Sequence, residues 1–144
     1  MLKINAIKIR IVTADGLYGF EQSFQNGLNI IRGNNSSGKS SLFQAILYAL
    51  GLEELLGGKN EKNMQSVLKD QVEFPDSNFH EVLQSEVFLE IENKNIITIR
   101  RSIISPTESP KLVNILKFRI WNSSRLSILS KCSQSLVILN NLDG

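Results

Sequence analysis

Residues 29–50, NIIRGNNSSGKSSLFQAILYAL, constrain the fold more than any other stretch of the chain. A short apolar run enters a segment of glycines and small polar residues, and a periodic apolar segment leaves it. Gly33, Gly38, Lys39 and Ser40 fit the spacing G-x-x-x-x-G-K-[ST] of a phosphate-binding loop. Its glycines let backbone N–H groups converge on phosphate oxygens, and the helix that follows directs its positive end at the same anion. The stretch therefore predicts a strand, a phosphate-binding loop and a helix in succession.

Individual side chains of this loop have distinct predicted roles. Lys39 is expected to reach the β- and γ-phosphates of a nucleotide as a point charge, and the Ser40 hydroxyl to coordinate Mg²⁺. Ser41 is a candidate for a further hydroxyl contact with a phosphate. The competing interpretation is a glycine-containing turn with a surface lysine, which the apolar strand before it and the helix after it disfavour.

The residues ahead of the loop predict antiparallel strands. The first strand alternates apolar residues on one face with basic residues on the other, in the order Ile7, Lys8, Ile9, Arg10 and Ile11. It is expected to be half-buried and to end at Asp15-Gly16, a turn pair. Asn26-Gly27, the strongest short hairpin signal, predicts a hairpin between a strand around Phe20–Phe24 and a more deeply buried strand, Leu28–Arg32.

Behind the loop, periodicity predicts one amphipathic helix. It is expected to begin at Ser40 and to stop at Gly51. Its apolar residues recur at i, i+3 and i+4 spacings: Leu42, Phe43, Ile46, Leu47 and Leu50. Residues 52–85 are expected to form a loop that carries one short helix.

A second hairpin is predicted over EVFLEIENKNIITIRR, residues 86–101, which alternates on both sides of a polar turn at 93–95. Arg100 and Arg101 at its end have two interpretations. They either contact DNA phosphates or nucleotide, or are solvated side chains at the end of a strand.

Composition indicates a soluble globular chain. Of its 144 residues, 42% are hydrophobic and 21% charged, and the single cysteine, Cys132, excludes an internal disulfide framework. The sequence has neither a signal-peptide pattern nor an apolar stretch near the roughly 20 residues that span a bilayer. We therefore expect a cytoplasmic protein with no membrane contact. His80 has no second ligand at metal-binding spacing, so a metal site built from side chains is not expected.

The amino-acid composition of the chain changes after residue 101. Residues 102–144 hold nine serines and two acidic residues, and residues 93–144 carry eight basic residues against two acidic ones. The overall net charge of +2 is too small to indicate nucleic acid by itself. We divide the chain into residues 1–101 and a divergent serine-rich tail, 102–144. The tail could be a truncated or frameshifted end, an insert, or the end of a genuine short protein.

Other classes of protein with a phosphate-binding loop fit less well. A GTPase would carry Asn-Lys-x-Asp, whereas the Asn-Lys pair at 93–94 is followed by Asn-Ile. A small kinase usually begins with its loop strand, whereas strands precede the loop here. GLNIIRGNNSSGKSSLFQAILYALG, residues 27–51, resembles the N-terminal lobe of ATPase heads of the SMC (structural maintenance of chromosomes) type. It is most similar to the double-strand-break-repair ATPase that partners a nuclease. VFLEIENKNIITIRRS resembles the later hairpin of those heads, so the resemblance covers residues 1–101.

This resemblance implies an α/β fold in which antiparallel strands and hairpins lead to the loop strand and helix of an N-terminal lobe. It also implies ATP and Mg²⁺ as cofactors. The residues it implies around the phosphates are Gly33, Asn34, Asn35, Ser36, Ser37, Gly38, Lys39, Ser40 and Ser41. Ser36 replaces the glycine that such heads usually have, which makes the backbone there less permissive.

Two elements that such heads need for hydrolysis are missing from the sequence. Residues 59–143 contain no glycine, which excludes the Ser-Gly-Gly signature loop. LVILNNLDG, residues 136–144, only superficially resembles a Walker B strand, because Asn-Asn-Leu separates its apolar run from Asp143 and no second acid follows. Gln134 is left without an assigned role. The nucleotide core is therefore expected to be incomplete, with no catalytic residue in this chain.

The resemblance implies an ATP- and Mg²⁺-binding half of an SMC-like ATPase of DNA repair, chromosome maintenance or phage defence. Its implied partners are a C-terminal lobe of the same family, a second head in a homodimer or hetero-assembly, DNA and a nuclease. Alternatives are a non-catalytic, nucleotide-sensing interaction protein and, less consistent with the strands before the loop, a small kinase.

Overall fold

The structure is a computed structural model that describes residues 1–35, 37–56, 66–73, 78–107, 113–116 and 136–140. Its first half contains strands β1 (Lys3–Thr13), β2 (Gly16–Ser23) and β3 (Asn29–Gly33), helix α1 (Lys39–Ala49) and a 3₁₀ turn (Glu53–Leu56). Farther along the chain are helix α2 (Ser66–Lys69) and strands β4 (Gln71–Glu73), β5 (Phe79–Asn93), β6 (Asn95–Ile104), β7 (Val113–Leu116) and β8 (Leu136–Asn140).

The main sheet is antiparallel throughout, in the order β2-β1-β5-β6-β7, with β4 paired to the first residues of β5. Strands β3 and β8 form a separate antiparallel pair. Helix α1 contacts β5 and β6, and α2 contacts β4, β5 and β6. The chain is therefore an α/β structure with an antiparallel sheet, as the sequence predicts.

Both tight turns of the main sheet lie where the sequence predicts them. β1 and β2 are joined by a two-residue turn at Ala14 and Asp15, and β5 and β6 meet at Lys94. Lys94 has a φ of 67°, the left-handed region that a reversal this tight requires. The second hairpin is longer than predicted, because β5 begins at Phe79 and β6 continues to Ile104.

The predicted hairpin at Asn26-Gly27 is wrong. β2 pairs with β1, and β3 pairs with β8, so this turn carries the chain from one sheet to the other. The Asn29 side chain closes the turn: its Oδ1 accepts from the Gln25 N–H at 2.9 Å and its Nδ2 donates to the Gln25 and Gly27 carbonyls. A turn signal fixes the local reversal of the chain, whereas the partners of its flanking strands are set by distant residues.

Strand β3 is not deeply buried. Ile30 is 39% exposed, and Leu28, directly before the strand, is 69% exposed. The prediction of a buried strand is therefore wrong for this chain.

The core lies between one face of the sheet and the two helices. Its fully buried apolar side chains come from β1, β4, β5, β6, α1 and α2, and include Ile7, Leu42, Ala45, Tyr48, Leu68, Val72, Val87, Leu89 and Ile103. The buried face of α1 thus differs from the predicted one, since Phe43 is 59% exposed. Small residues on the inner face, Ala45 and Ala49, let the helix approach the sheet closely. Gly51, with a φ of 73°, follows the helix end as predicted.

The opposite face of the sheet is polar. The sequence predicts that it is open to solvent, whereas its charged side chains are largely buried. Lys8 is 3% exposed and its Nζ lies 2.9 Å from the Glu21 carboxylate. Glu86 is bonded on both carboxylate oxygens, at 2.7 Å to Arg10 and at 2.6 Å to Arg100. Ion pairing across strands therefore satisfies charged side chains on a face that the alternation alone assigns to water.

Residues 52–85 contain more structure than the predicted loop with one helix. The helix is present as α2, and β4 and the first residues of β5 lie in the same segment. Val82 is 5% exposed, whereas its neighbours Glu81 and Leu83 are exposed. This alternation is the strand signal that the prediction missed.

Within the described residues, no helix is long and apolar enough to cross a membrane.

Candidate phosphate-binding site

The phosphate-binding loop connects the end of β3 to the start of α1, so the predicted strand, loop and helix are present in that order. Gly38 is the N-cap residue of α1, with φ 88° and ψ 6°, and its carbonyl accepts the first helical bond from the Leu42 N–H at 2.9 Å. An L-residue rarely adopts this conformation, which explains the glycine before the lysine. The helix begins at Lys39, one residue before the predicted start.

The Lys39 ammonium lies at the centre of the loop. Its Nζ donates to the Gly33 carbonyl at 2.7 Å, the Asn34 carbonyl at 2.5 Å and the Ser37 hydroxyl at 3.3 Å. The side chain therefore folds back over the loop instead of extending into solvent. This placement brings four of the predicted site residues together around one positive charge.

The other loop residues surround this charge at differing depths. Ser37 is 7% exposed and its N–H donates to the Asn34 carbonyl at 3.3 Å. Asn35 and Ser40 are exposed, and Ser41 is half-buried in the first turn of α1. Ser36, also predicted at this site, lies outside the described residues.

The charge distribution of α1 favours an anion at its N-terminal end. No acidic residue lies in its first turn, so the partial positive charge of the helix end is not neutralised from within the helix. The described residues contain no cluster of three His, Cys, Asp or Glu side chains that could hold a metal ion. The Ser40 hydroxyl as a Mg²⁺ ligand stays a prediction from the loop sequence.

The other end of α1 is held by two residues that the prediction interpreted differently. Arg101 is 5% exposed, and its guanidinium carbon lies 3.9 Å from the centre of the Tyr48 ring. Its Nη1 donates to the Tyr48 carbonyl, and the Tyr48 hydroxyl donates to the Ser102 carbonyl at 2.7 Å. Arg101 is thus neither a solvated residue nor a surface contact for DNA, and both interpretations are wrong for it.

Sequence alternation could have identified this burial. Ile97, Ile99, Arg101 and Ile103 follow one another at period two, and Ile103 is fully buried. The prediction ended the strand at Arg101 and so lost the apolar residue that places the arginine on the inner face.

Arg100 and His80 also have intramolecular partners. Arg100 points to the polar face and pairs with Glu86, and the His80 Nδ1 contacts the Asp15 carboxylate at the β1–β2 turn. Neither residue contributes to the phosphate-binding loop.

A family model described as an AAA domain matches residues 12–142. The chain belongs to the AAA-domain family. The match indicates an ATPase-type, nucleotide-binding function, and domains of this family generally bind ATP with Mg²⁺. Searches of curated proteins and of solved structures found no match.

The AAA-domain match extends beyond the predicted division at residue 101. Strand β6 also crosses this position, and β7 adds to the same sheet. The division of the chain into residues 1–101 and a tail stays a prediction.

Strand β8 consists of the apolar run LVILN and lies beside β3, the strand that enters the loop. β8 pairs antiparallel with β3, with Ile138 opposite Ile31. Asp143, Gln134, Cys132 and Trp121 lie outside the described residues. The interpretation that this run is not a Walker B strand rests on its sequence.

Proposed function

We propose that this AAA domain is the ATP- and Mg²⁺-binding half of an SMC-like ATPase that acts in DNA repair, chromosome maintenance or phage defence. The observation that supports it best is the Lys39 ammonium, surrounded by Gly33, Asn34 and Ser37 oxygens at the N-terminal end of α1. A cation fixed between loop oxygens at a helix start is suited to the β- and γ-phosphates of a nucleotide.

Each part of the loop has a role in this proposal. Backbone N–H groups between Gly33 and Ser41 bind the phosphates, Lys39 balances the charge of the outer two, and Ser40 contributes a hydroxyl to Mg²⁺. Phosphoryl transfer depends on positioning and on charge stabilisation, and these residues supply the phosphate-binding part of it.

The remaining parts come, in this proposal, from a partner lobe. A Walker B acid pair and a Ser-Gly-Gly loop would be provided by a C-terminal lobe and by a second head, because neither sequence is present here. ATP would then lie between two surfaces and promote their association, with DNA and a nuclease as further partners of the assembly.

Titration of the purified chain with a fluorescent ATP analogue in the presence of Mg²⁺ tests the proposal. Saturable binding is expected for the wild type, and Lys39→Ala should abolish it. Lys94→Ala is the matched control, since it removes one positive charge from the exposed β5–β6 turn. Unchanged binding by Lys39→Ala would refute the site, and equal loss in both variants would indicate a general effect of charge.

A further inference from the structure

Tyr48 attaches the C-terminal end of α1 to β6. Tyr48 is 1% exposed and is held at three points: its ring by the Arg101 guanidinium, its carbonyl by Arg101 Nη1, and its hydroxyl by the Ser102 carbonyl. Two consecutive residues of β6 thus fix one residue of the last helical turn.

The charge of Arg101 complements the helix. The last turn of α1 contains no basic residue of its own, and its partial negative charge attracts a cation. Arg101 supplies that cation from a neighbouring strand. A planar guanidinium can stack on an aromatic ring and donate a hydrogen bond at the same time, which an ammonium does less well.

The helix connects this attachment to the phosphate-binding loop. An 11-residue helix is about 16 Å long, and Lys39 is its first residue. Tyr48 lies nine residues from Lys39, about 13 Å along the helix, so a tilt of about 10° around Tyr48 would move Lys39 by about 2 Å. Phosphate contacts are sensitive to displacements of about 1 Å, so the orientation of α1 matters for the loop.

We infer that Arg101 is a positioning residue for the phosphate-binding loop: it holds the far end of α1 through Tyr48 and thereby sets the place of Lys39. It does not touch the nucleotide. The expected effect of Arg101 on nucleotide affinity rests on the proposed function. The mechanical link between the two ends of α1 does not.

Four variants of the whole chain test the inference. Arg101→Met removes the charge and the stacked guanidinium but keeps a long apolar side chain, and Arg101→Lys keeps the charge. Tyr48→Phe removes only the hydroxyl that bonds to Ser102. Ile103→Val is the matched control, because Ile103 is fully buried on the same face of β6 and its truncation lowers stability while leaving the Arg101 and Tyr48 side chains intact.

Affinity for the fluorescent ATP analogue is the first readout. Arg101→Met is expected to weaken binding about tenfold or more, and Arg101→Lys to recover part of the loss. Ile103→Val should bind within about twofold of wild type even where its melting temperature falls. Wild-type affinity in Arg101→Met, or an equal loss in Ile103→Val, would overturn the inference. If Arg101→Met does not fold, Tyr48→Phe takes its place, with a smaller loss expected.

Hydrogen exchange of residues 37–42 is the second readout and needs no nucleotide. The Leu42 amide, which bonds to the Gly38 carbonyl, should exchange faster in Tyr48→Phe and Arg101→Met than in Ile103→Val. Equal exchange in all three variants would contradict the mechanical link. If the wild type binds no nucleotide but the variants differ in exchange as expected, the proposed function is refuted and the positioning role of Arg101 stands.

Discussion

The Lys39 Nζ lies 2.7 Å from the carbonyl oxygen of Gly33, so the first residue of α1 is bonded to the last residue of β3. The lysine therefore closes the loop on which it lies, besides carrying the charge expected to meet a phosphate. A bound phosphate would join an ammonium that already has three oxygen neighbours.

Gly38→Ala and Gly51→Ala should have similar effects on stability but different effects on nucleotide binding. Both glycines have positive φ, 88° and 73°, and a Cβ added to either would meet nothing within 4 Å. The penalty is then conformational, about 1–2 kcal/mol for each. Only Gly38→Ala also disturbs the start of α1 at the loop. Urea denaturation measures the stability of both variants, and titration with the ATP analogue measures their affinity. Equal affinities of the two variants would contradict the prediction.

The purified chain is expected to hydrolyse ATP hardly at all. The sequence holds no Walker B acid pair and no Ser-Gly-Gly loop, so the groups that would position water and complete the charge stabilisation are lacking. Phosphate release should not exceed the rate of Lys39→Ala measured in parallel. A robust turnover that disappears in Lys39→Ala would show that the chain contains a complete site.

Glu86→Gln should lower the free energy of unfolding by about 2–4 kcal/mol. The carboxylate is 3% exposed and bonds to Arg10 and Arg100, so its neutralisation removes a negative charge that two partly buried guanidinium groups contact. The arginines are 29% and 20% exposed, and solvent screening places the loss at the lower end of this range. Glu81→Gln, on an exposed position of the same strand, should change stability by less than about 0.5 kcal/mol. Denaturant unfolding of both variants measures these losses. Equal losses would contradict a stabilising role for the contacts of Glu86 with Arg10 and Arg100.

Asn29→Asp should destabilise the turn before β3 nearly as much as Asn29→Ala, by about 1 kcal/mol. Aspartate keeps the acceptor for the Gln25 N–H but loses both Nδ2 donations, to the Gln25 and Gly27 carbonyls. The contacts are exposed, so each is of modest strength. Chemical denaturation of the two variants provides the test. Wild-type stability in Asn29→Asp would show that the two donations contribute nothing.

Local patterns predicted the features that depend on neighbouring residues. Alternation around Lys94 predicted the β5–β6 hairpin, and Gly51 predicted the end of α1. The spacing of Gly33, Gly38 and Lys39 predicted the succession of strand, loop and helix that the structure has, whereas the binding roles of these residues stay predictions.

Features that depend on distant residues were not predictable in this way. The partner of β3 is β8, more than 100 residues further along the chain, and no turn signal encodes that choice. The burial of Lys8 depends on Glu21 and on the strands beside it, since a charged side chain at an alternating position normally indicates solvent. The contact between Arg101 and the Tyr48 ring joins a strand to a helix more than 50 residues earlier, and no local pattern predicts it.

The attachment of Tyr48 to β6 has a consequence for the order of events on the ribosome. Ser41 closes the predicted phosphate loop sixty residues before Arg101 is added to the chain, and β1 acquires β5 as its neighbour only at residues 82–92. A nascent chain therefore carries every side chain of the loop before it has the strand on which α1 rests. Pairing between strands so far apart in sequence is slow to form. In the proposed function, nucleotide binding by this loop would accordingly be a late step in the maturation of the protein, after the supporting strands have been synthesised.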